Sequence, residues 1–278
     1  MNFLARWGAI AGLVGATLLT PSIAGQMKAL ALPQEQVMQK LNSVPVFVIA
    51  DPKEGLVLQT ITPENAGNSD TPDSLPVSWV FLNRSDAQEF VSRLQQEKPQ
   101  LGNKAQVVVM SLGQVYQMAQ QNSEQENSPM FELVPAEEEV DSALSILQEN
   151  GQQVEEFRGV PLFMARGGSQ KSPLAVQRNG EKLIPLFLSR EDLRNQVDRM
   201  KQQQPNIAST IDVQVLRLER VISELENSNE SDLESLVFIP SRSSRDLIRS
   251  LQQQNQNQNQ GGPSLQQPPQ NTPSLPNR

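Results

Sequence analysis

Residues 79–118, WVFLNRSDAQEFVSRLQQEKPQLGNKAQVVVMSLGQVYQM (Trp79 to Met118), decide the reading of the whole chain, because their pattern occurs twice. Displaced by 106 residues, the step from Pro99 to Pro205, the positions Phe81, Leu82, Arg84, Asp86, Val91 and Arg93 fall on Phe187, Leu188, Arg190, Asp192, Val197 and Arg199. The match continues from Val107, Val109, Leu112 and Val115 onto Val213, Val215, Leu218 and Val221. Upstream, Val44-Pro45-Val46-Phe47 returns as Val160-Pro161-Leu162-Phe163 at a displacement of 116, and Leu56–Gln59 echoes Leu174–Gln177 at 118. Copy one thus carries a loop, Thr60–Ser74, that copy two lacks. The chain reads as a tandem duplication, with repeat 1 over 32–130 and repeat 2 over 131–251.

Each copy is expected to begin with an amphipathic helix, Gln34–Leu41 in one and Ala136–Asn150 in the other. The second follows Pro135 and opens with Glu137, Glu138 and Glu139, acids that the positive end of a helix dipole favours. That places the glutamate run at a helix start, and Asn150-Gly151 ends the helix. A strand follows (Val44–Ala50, Val160–Ala165), then two more. In copy two, Leu174–Gln177 and Lys182–Leu188 flank Arg178-Asn179-Gly180-Glu181, and Asn-Gly between apolar runs marks a tight hairpin. The third strand runs into a helix capped by Asn83 or Ser189, with Asp86 or Asp192 three residues on. Ala87, Phe90, Val91 and Leu94, and likewise Leu193, Val197 and Met200, make one helical face before Pro99 or Pro205 closes it. A strand (Gln106–Met110, Ile211–Leu216) and a helix (Gln114–Gln120, Glu219–Glu226) complete each copy. The expected fold class is α+β: a tandem duplicated α-β-β-β-α-β-α unit with pseudo-two-fold symmetry, antiparallel or mixed sheet and helices. Val237–Pro240 and Ser241–Leu251 look like a partial third strand-helix piece.

The ends have a different character. Met1–Ala31 reads as a signal peptide: Arg6, the apolar run Ala9–Leu19, then Ala29-Leu30-Ala31 as an A-x-A cleavage site. Its apolar core is about eleven residues, short of the roughly 20 a bilayer requires. From Gln252 the Gln/Asn/Pro-rich tail, 252–278, has too little apolar surface to offset the entropy of ordering it and reads as disordered. The formal charge is −8, and losing Met1–Ala31 removes Arg6 and Lys28 but no acid, leaving −10. An acidic chain without a basic cluster argues against nucleic acid as partner and for at most peripheral membrane contact.

Histidine and cysteine are both absent, which excludes Ser-His-acid triads, thiol nucleophiles and imidazole-based zinc sites. Tyr116 is the sole tyrosine. Arg166-Gly167-Gly168-Ser169-Gln170-Lys171-Ser172 superficially suggests a phosphate loop, but its spacing is wrong and Pro173 leads into a strand where a helix is required. No catalytic constellation, metal site or cofactor motif emerges; binding is the expected activity.

The duplicated unit, Leu32-Pro33 after the cleavage site, Val44-Pro45-Val46-Phe47-Val48-Ile49 and Val160-Pro161-Leu162-Phe163 together resemble the cyanobacterial, periplasmic branch of the twenty-two-kilodalton Tic family, named for the chloroplast inner-envelope translocon. The resemblance covers roughly Leu32 to Leu251. It implies a non-enzymatic, chaperone-like protein of the space between two membranes, with an internally repeated α+β fold and exposed apolar pockets. Such a protein handles unfolded precursor polypeptides in transit, in protein import or in outer-membrane biogenesis. The implied location is the periplasm or thylakoid lumen, and the implied partners include outer-membrane β-barrel proteins and their assembly machinery. A structural adaptor binding one folded envelope protein is the alternative. The candidate polypeptide-binding residues are Val46, Phe47, Trp79, Phe81, Phe163 and Phe187, all on repeated strands, where an aromatic taken alone also suits a core. Trp79 and Phe81 share one face of their strand, with Ser78 and Val80 on the other.

Overall fold

A computed structural model describes residues 32–61, 75–122, 128–203, 210–228 and 230–260. The signal peptide, most of the loop Thr60–Ser74 and the end of the tail lie outside the described residues. In chain order, α1 (Gln34–Leu41) precedes β1 (Pro45–Asp51), β2 (Gly55–Leu56), β3 (Gln59–Ile61) and β4 (Leu75–Phe81). Then come α2 (Arg84–Glu97), α3 (Pro99–Gly102), β5 (Gln106–Ser111), α4 (Leu112–Asn122) and β6 (Met130–Val134). The second half has α5 (Glu137–Glu149), β7 (Pro161–Gly167), β8 (Ser172–Pro173), β9 (Val176–Arg178), β10 (Glu181–Phe187) and α6 (Arg190–Gln203). It ends with β11 (Asp212–Arg217), α7 (Leu218–Asn227), a 3-10 turn (Ser231–Ser235), β12 (Leu236–Ile239) and α8 (Arg242–Gln260).

Register defines two mixed sheets. Phe47 pairs with Phe81 on one side and Val109 on the other, while Phe81 also pairs with Val134. The first sheet therefore runs β5-β1-β4-β6, with β6 parallel to β4 and the other pairs antiparallel. Beyond Val48, β1 and β4 diverge, and the segment Gly55–Ile61 fills the fork: β2 pairs with β1 and β3 with β4. The second sheet runs β11-β7-β10-β12, with β8 on β7, β9 on β10 and β12 parallel to β10. Strand for strand, the pairing is the same in both.

Several expectations change at this level. The second strand of each copy is split in two, because its halves pair with different neighbours across the fork. Val237–Pro240, expected as a third piece, supplies β12, which stands beside β10 as β6 stands beside β4. The opening helices are not counterparts: α1 buries Val37 and Leu41 in the core shared by both halves, whereas α5 buries Ala143 and Ile146 on the outer face of the second sheet. Gln252–Gln260, expected within the tail, continue α8. Leu247 anchors that helix on the first sheet, and extending a helix already formed through glutamine is nearly neutral.

Alternation along each strand sorts side chains into three cores. Val46, Val48 and Val80 from the first sheet meet Leu162, Ile184 and Leu186 from the second, with α4 and α7 supplying Leu112, Val115, Leu218, Val221 and Leu225. The outer face of the first sheet, with Phe47, Ile49 and Phe81, packs on Ala87 and Leu94 of α2 and Leu247 of α8. The outer face of the second, with Phe163, Ala165 and Phe187, packs on Leu193 and Val197 of α6 and on α5. The helix that follows each sheet thus covers the other sheet: α5 comes after β6 and packs on β7 and β11, while α8 comes after β12 and packs against the first sheet.

Local chemistry fixes the junctions. Asn179 and Gly180 both have positive φ, 54° and 85°, as a tight Asn-Gly hairpin between β9 and β10 requires. The Asn83 side chain accepts from the Ser85 amide at 2.9 Å, and Ser189 Oγ accepts from the Asp192 amide at 3.4 Å. A cap unforeseen from sequence comes from the glutamate run: Glu139 of α5 accepts the Arg190 amide at 2.9 Å, docking one helix start on another. Arg166, in the segment that resembles a phosphate loop, instead holds Asp212 through two bonds of 3.0 and 2.9 Å, joined by Lys171 at 2.7 Å. Burial alone would raise the Asp212 pKa, but the Lys171 and Arg166 bonds outweigh it and leave it below the ordinary value. A depressed carboxylate stabilises the fold above its unfolded pKa and loses that contribution as pH falls. The urea midpoints of wild type and Asp212→Asn are therefore expected to differ at about pH 7 and converge towards about pH 3.

Candidate functional site

The two sheets differ in how their outer faces are filled. In the first, Phe90 of α2 packs on Phe81 with ring centroids 5.4 Å apart and planes tilted by 52°. Beside them Trp79 is half-buried, its indole N–H donating to Gln59 Oε1 at 2.9 Å. At the 106-residue displacement, Trp79 corresponds to Pro185 and Phe90 to Gln196. The second sheet therefore lacks both aromatic fillers, and a hollow of about 790 Å³ opens there between α6, β10 and the start of α8.

Its floor is apolar: Val176, Pro185, Phe187 and Ile239. Its rim is charged, with Asp192, Asp198, Arg199, Arg242 and Arg245. Arg245 pairs with Asp192 at 3.3 Å and Arg199 donates to Gln196 Oε1 at 3.0 Å, so the rim is held by mutual contacts while the floor stays bare. The volume falls within the range of small-ligand pockets and accepts one or two bulky apolar side chains. Nothing in this lining is arranged for bond-making; it can bind, and the charged rim can orient what binds.

Of the candidate contact residues, Val46, Phe47, Phe81 and Phe163 are buried at 4 % exposure or less, Val46 in the shared core and the three aromatics in the outer cores. As groove-lining groups these four are corrected to core: on a strand covered on both faces, neither alternation class reaches water. Phe187 is also largely buried, yet one side of it floors the hollow. Trp79 keeps partial exposure on the other sheet. The structure thus brings neither pair nor cluster of the six together into a groove. What the sequence reading missed was the substitution pair Pro185 and Gln196, visible once the two copies are compared for side-chain volume.

Two further features belong to the framework. Tyr116 donates to Glu226 Oε1 at 2.7 Å, tying α4 to α7, and burial followed by that bond pushes its phenol pKa up to about 12. A second, much smaller cavity of about 40 Å³ lies where the halves meet, lined by the equivalent pairs Val44 and Val160, Pro45 and Pro161, Leu82 and Leu188. Among the described residues no helix is long and apolar enough to cross a membrane.

The model of the Tic22-like family matches residues 13–253. The protein TIC 22-like, chloroplastic, of Arabidopsis thaliana is 25% identical over 226 residues, which are 80% of this chain and 65% of that protein. This chain therefore spans just under two thirds of that relative's length. The protein TIC 22, chloroplastic, of Pisum sativum is 24% identical over 213 residues, 76% of this chain and 75% of that one. Among solved structures, Anabaena Tic22, a protein-transport protein, superposes with a TM-score of 0.68 at 28% identity, over 79% of this chain and 97% of its own. Tic22 from Plasmodium falciparum superposes at 0.60 and 18% identity, over 78% and 98%, which is a likeness of fold.

Proposed function

The chain belongs to the Tic22-like family, and from that premise we propose that it serves protein transport as a chaperone-like binding protein without catalytic chemistry. Its clients are unfolded precursor polypeptides in transit through the envelope, outer-membrane β-barrel proteins among them. It works in the periplasm, or the equivalent space between two membranes, having been exported there by its signal peptide. The observation that carries the reading is the hollow lined by Val176, Pro185, Phe187 and Ile239, where no counterpart of Trp79 or Phe90 fills the space. The net charge, −8 for the whole chain and −10 without Met1–Ala31, supports it, since charge keeps a protein with bare apolar surface from collecting copies of itself.

Filling the hollow is the test. Gln196→Trp places an indole where the first copy has Phe90, on a half-buried helix position that tolerates it. Wild type at near-stoichiometric amounts is expected to slow aggregation of an unfolded β-barrel precursor. The variant is expected to bind that precursor about tenfold more weakly, the equivalent of one apolar side chain left undocked. Equal protection by both would remove the hollow from the mechanism. Saturable binding to one folded envelope protein without any protection would select the adaptor reading.

A further inference from the structure

We infer that the free edge of β5 is a strand-docking site, which takes an extended polypeptide segment with apolar residues at alternate positions and no net negative charge. The inference deepens the function proposed above by naming a second contact surface and its mode of recognition. It starts from backbone geometry. Leu112 donates its amide to the Val44 carbonyl, which makes 44 and 112 a hydrogen-bonded pair. Stepping by two along the antiparallel register, Met110 with Val46, Val108 with Val48 and Gln106 with Ala50 are the hydrogen-bonded pairs that follow. The amides and carbonyls of Val107, Val109 and Ser111 must then point away from β1. The Ser111 amide confirms that direction, since it is taken by the side chain of Gln114 at 2.9 Å. Val107 and Val109 present two donors and two acceptors along an edge that, among the described residues, no strand pairs.

A helix lies against each edge strand, α2 on β5 and α5 on β11, but the side chains differ. β5 has no charged residue, whereas on β11 Asp212 is clamped by Arg166 and Lys171. Gln214 of β11 stands where β5 carries Val108, a valine 39 % exposed. Charges are a usual protection of a sheet edge, and an uncharged apolar edge is a template for strand addition. The occupant follows from charge. A second mature copy would bring another −10 to the same place, whereas a neutral or basic extended segment meets no such repulsion.

The test uses the mature chain and a fluorescein-labelled peptide of about ten residues, the length of one barrel strand, alternating valine with threonine and lysine. Hydrogen exchange is expected to show the Val107 and Val109 amides gaining protection on peptide addition, while the Val108 amide, already paired to β1, does not change. Val109→Pro deletes an outward donor but no β1 bond, a place where edge strands tolerate proline. Val108→Lys adds a cation at an exposed side chain. Each is expected to weaken peptide binding about tenfold with the urea midpoint nearly kept. Undiminished binding by both variants, or no added protection at Val107 and Val109, overturns the site. So does a concentration-dependent dimer that Val108→Lys abolishes, which would make a second copy the occupant. If wild type protects the precursor and Val109→Pro protects it equally well, the edge falls while the proposed function stands. If wild type gives no protection yet the peptide docks on β5, the edge stands and that function falls.

Discussion

Phe163→Ala is expected to lower the unfolding free energy by about 4 kcal/mol, the range for deleting a fully buried aromatic. Phe163 is 0 % exposed and sits in register between Phe187 and Val215, beneath α5 and α6. Its removal takes away the transfer free energy of the ring and leaves a void that the flanking strands, fixed by their ladders, cannot close. Urea unfolding followed by circular dichroism measures the loss. The same experiment separates core from contact surface. A variant of near wild-type stability that no longer holds an unfolded precursor would return Phe163 to the binding surface, against its position here.

Gly113→Ala is expected to destabilise by about 2 kcal/mol, although alanine in a helix interior ordinarily gains about 1 kcal/mol over glycine. A methyl group at Gly113 would lie 2.2 Å from Asn42 Oδ1 and 2.6 Å from the Met38 carbonyl oxygen. The amide of Asn42 can swing aside, but the carbonyl is backbone, so α1 itself must lift from α4. That helix carries Val37 and Leu41, both 0 % exposed, into the shared core. It is held at its far side by Lys40, whose ammonium donates to the carbonyls of Glu234 and Leu236 at 2.7 and 3.0 Å. Burial, ahead of the opposing pull of Glu234, sets the Lys40 pKa below the ordinary lysine value. Adding Asn42→Ala should recover only part of the lost stability. Full recovery would show that the side-chain contact, and not the backbone approach, fixes α1.

The elements most legible in the sequence were those whose signals are local. Asn179-Gly180 announced its hairpin, Asn83 and Ser189 their helix starts, and the alternation through Val77–Phe81 the two faces of β4. What stayed hidden depended on partners far along the chain. The segment Met130–Val134 has no strong alternation and becomes a strand because β4 offers it a parallel edge. The split of Gly55–Ile61 follows from a fork between two other strands. Glu139 was legible as a helix start but not as the cap of a different helix. The aromatic strand residues carried the right chemistry for binding, yet each sheet is covered on both faces, so the open site lies where aromatics are missing. Pro185 and Gln196 have no signature of their own; only their contrast with Trp79 and Phe90 gives them meaning.

The crossing of α5 and α8 makes each half depend on the other. Each half lends its closing helix to its neighbour, so a lone half would have an outer sheet only partly covered, by α2 or α6, and a stray greasy helix. Two such halves, made as separate chains, would mend that defect by trading helices, as the chains of a domain-swapped dimer do. Cutting the chain between α5 and β7, within Gly151–Gly159, should therefore leave two fragments that hold together and melt as one.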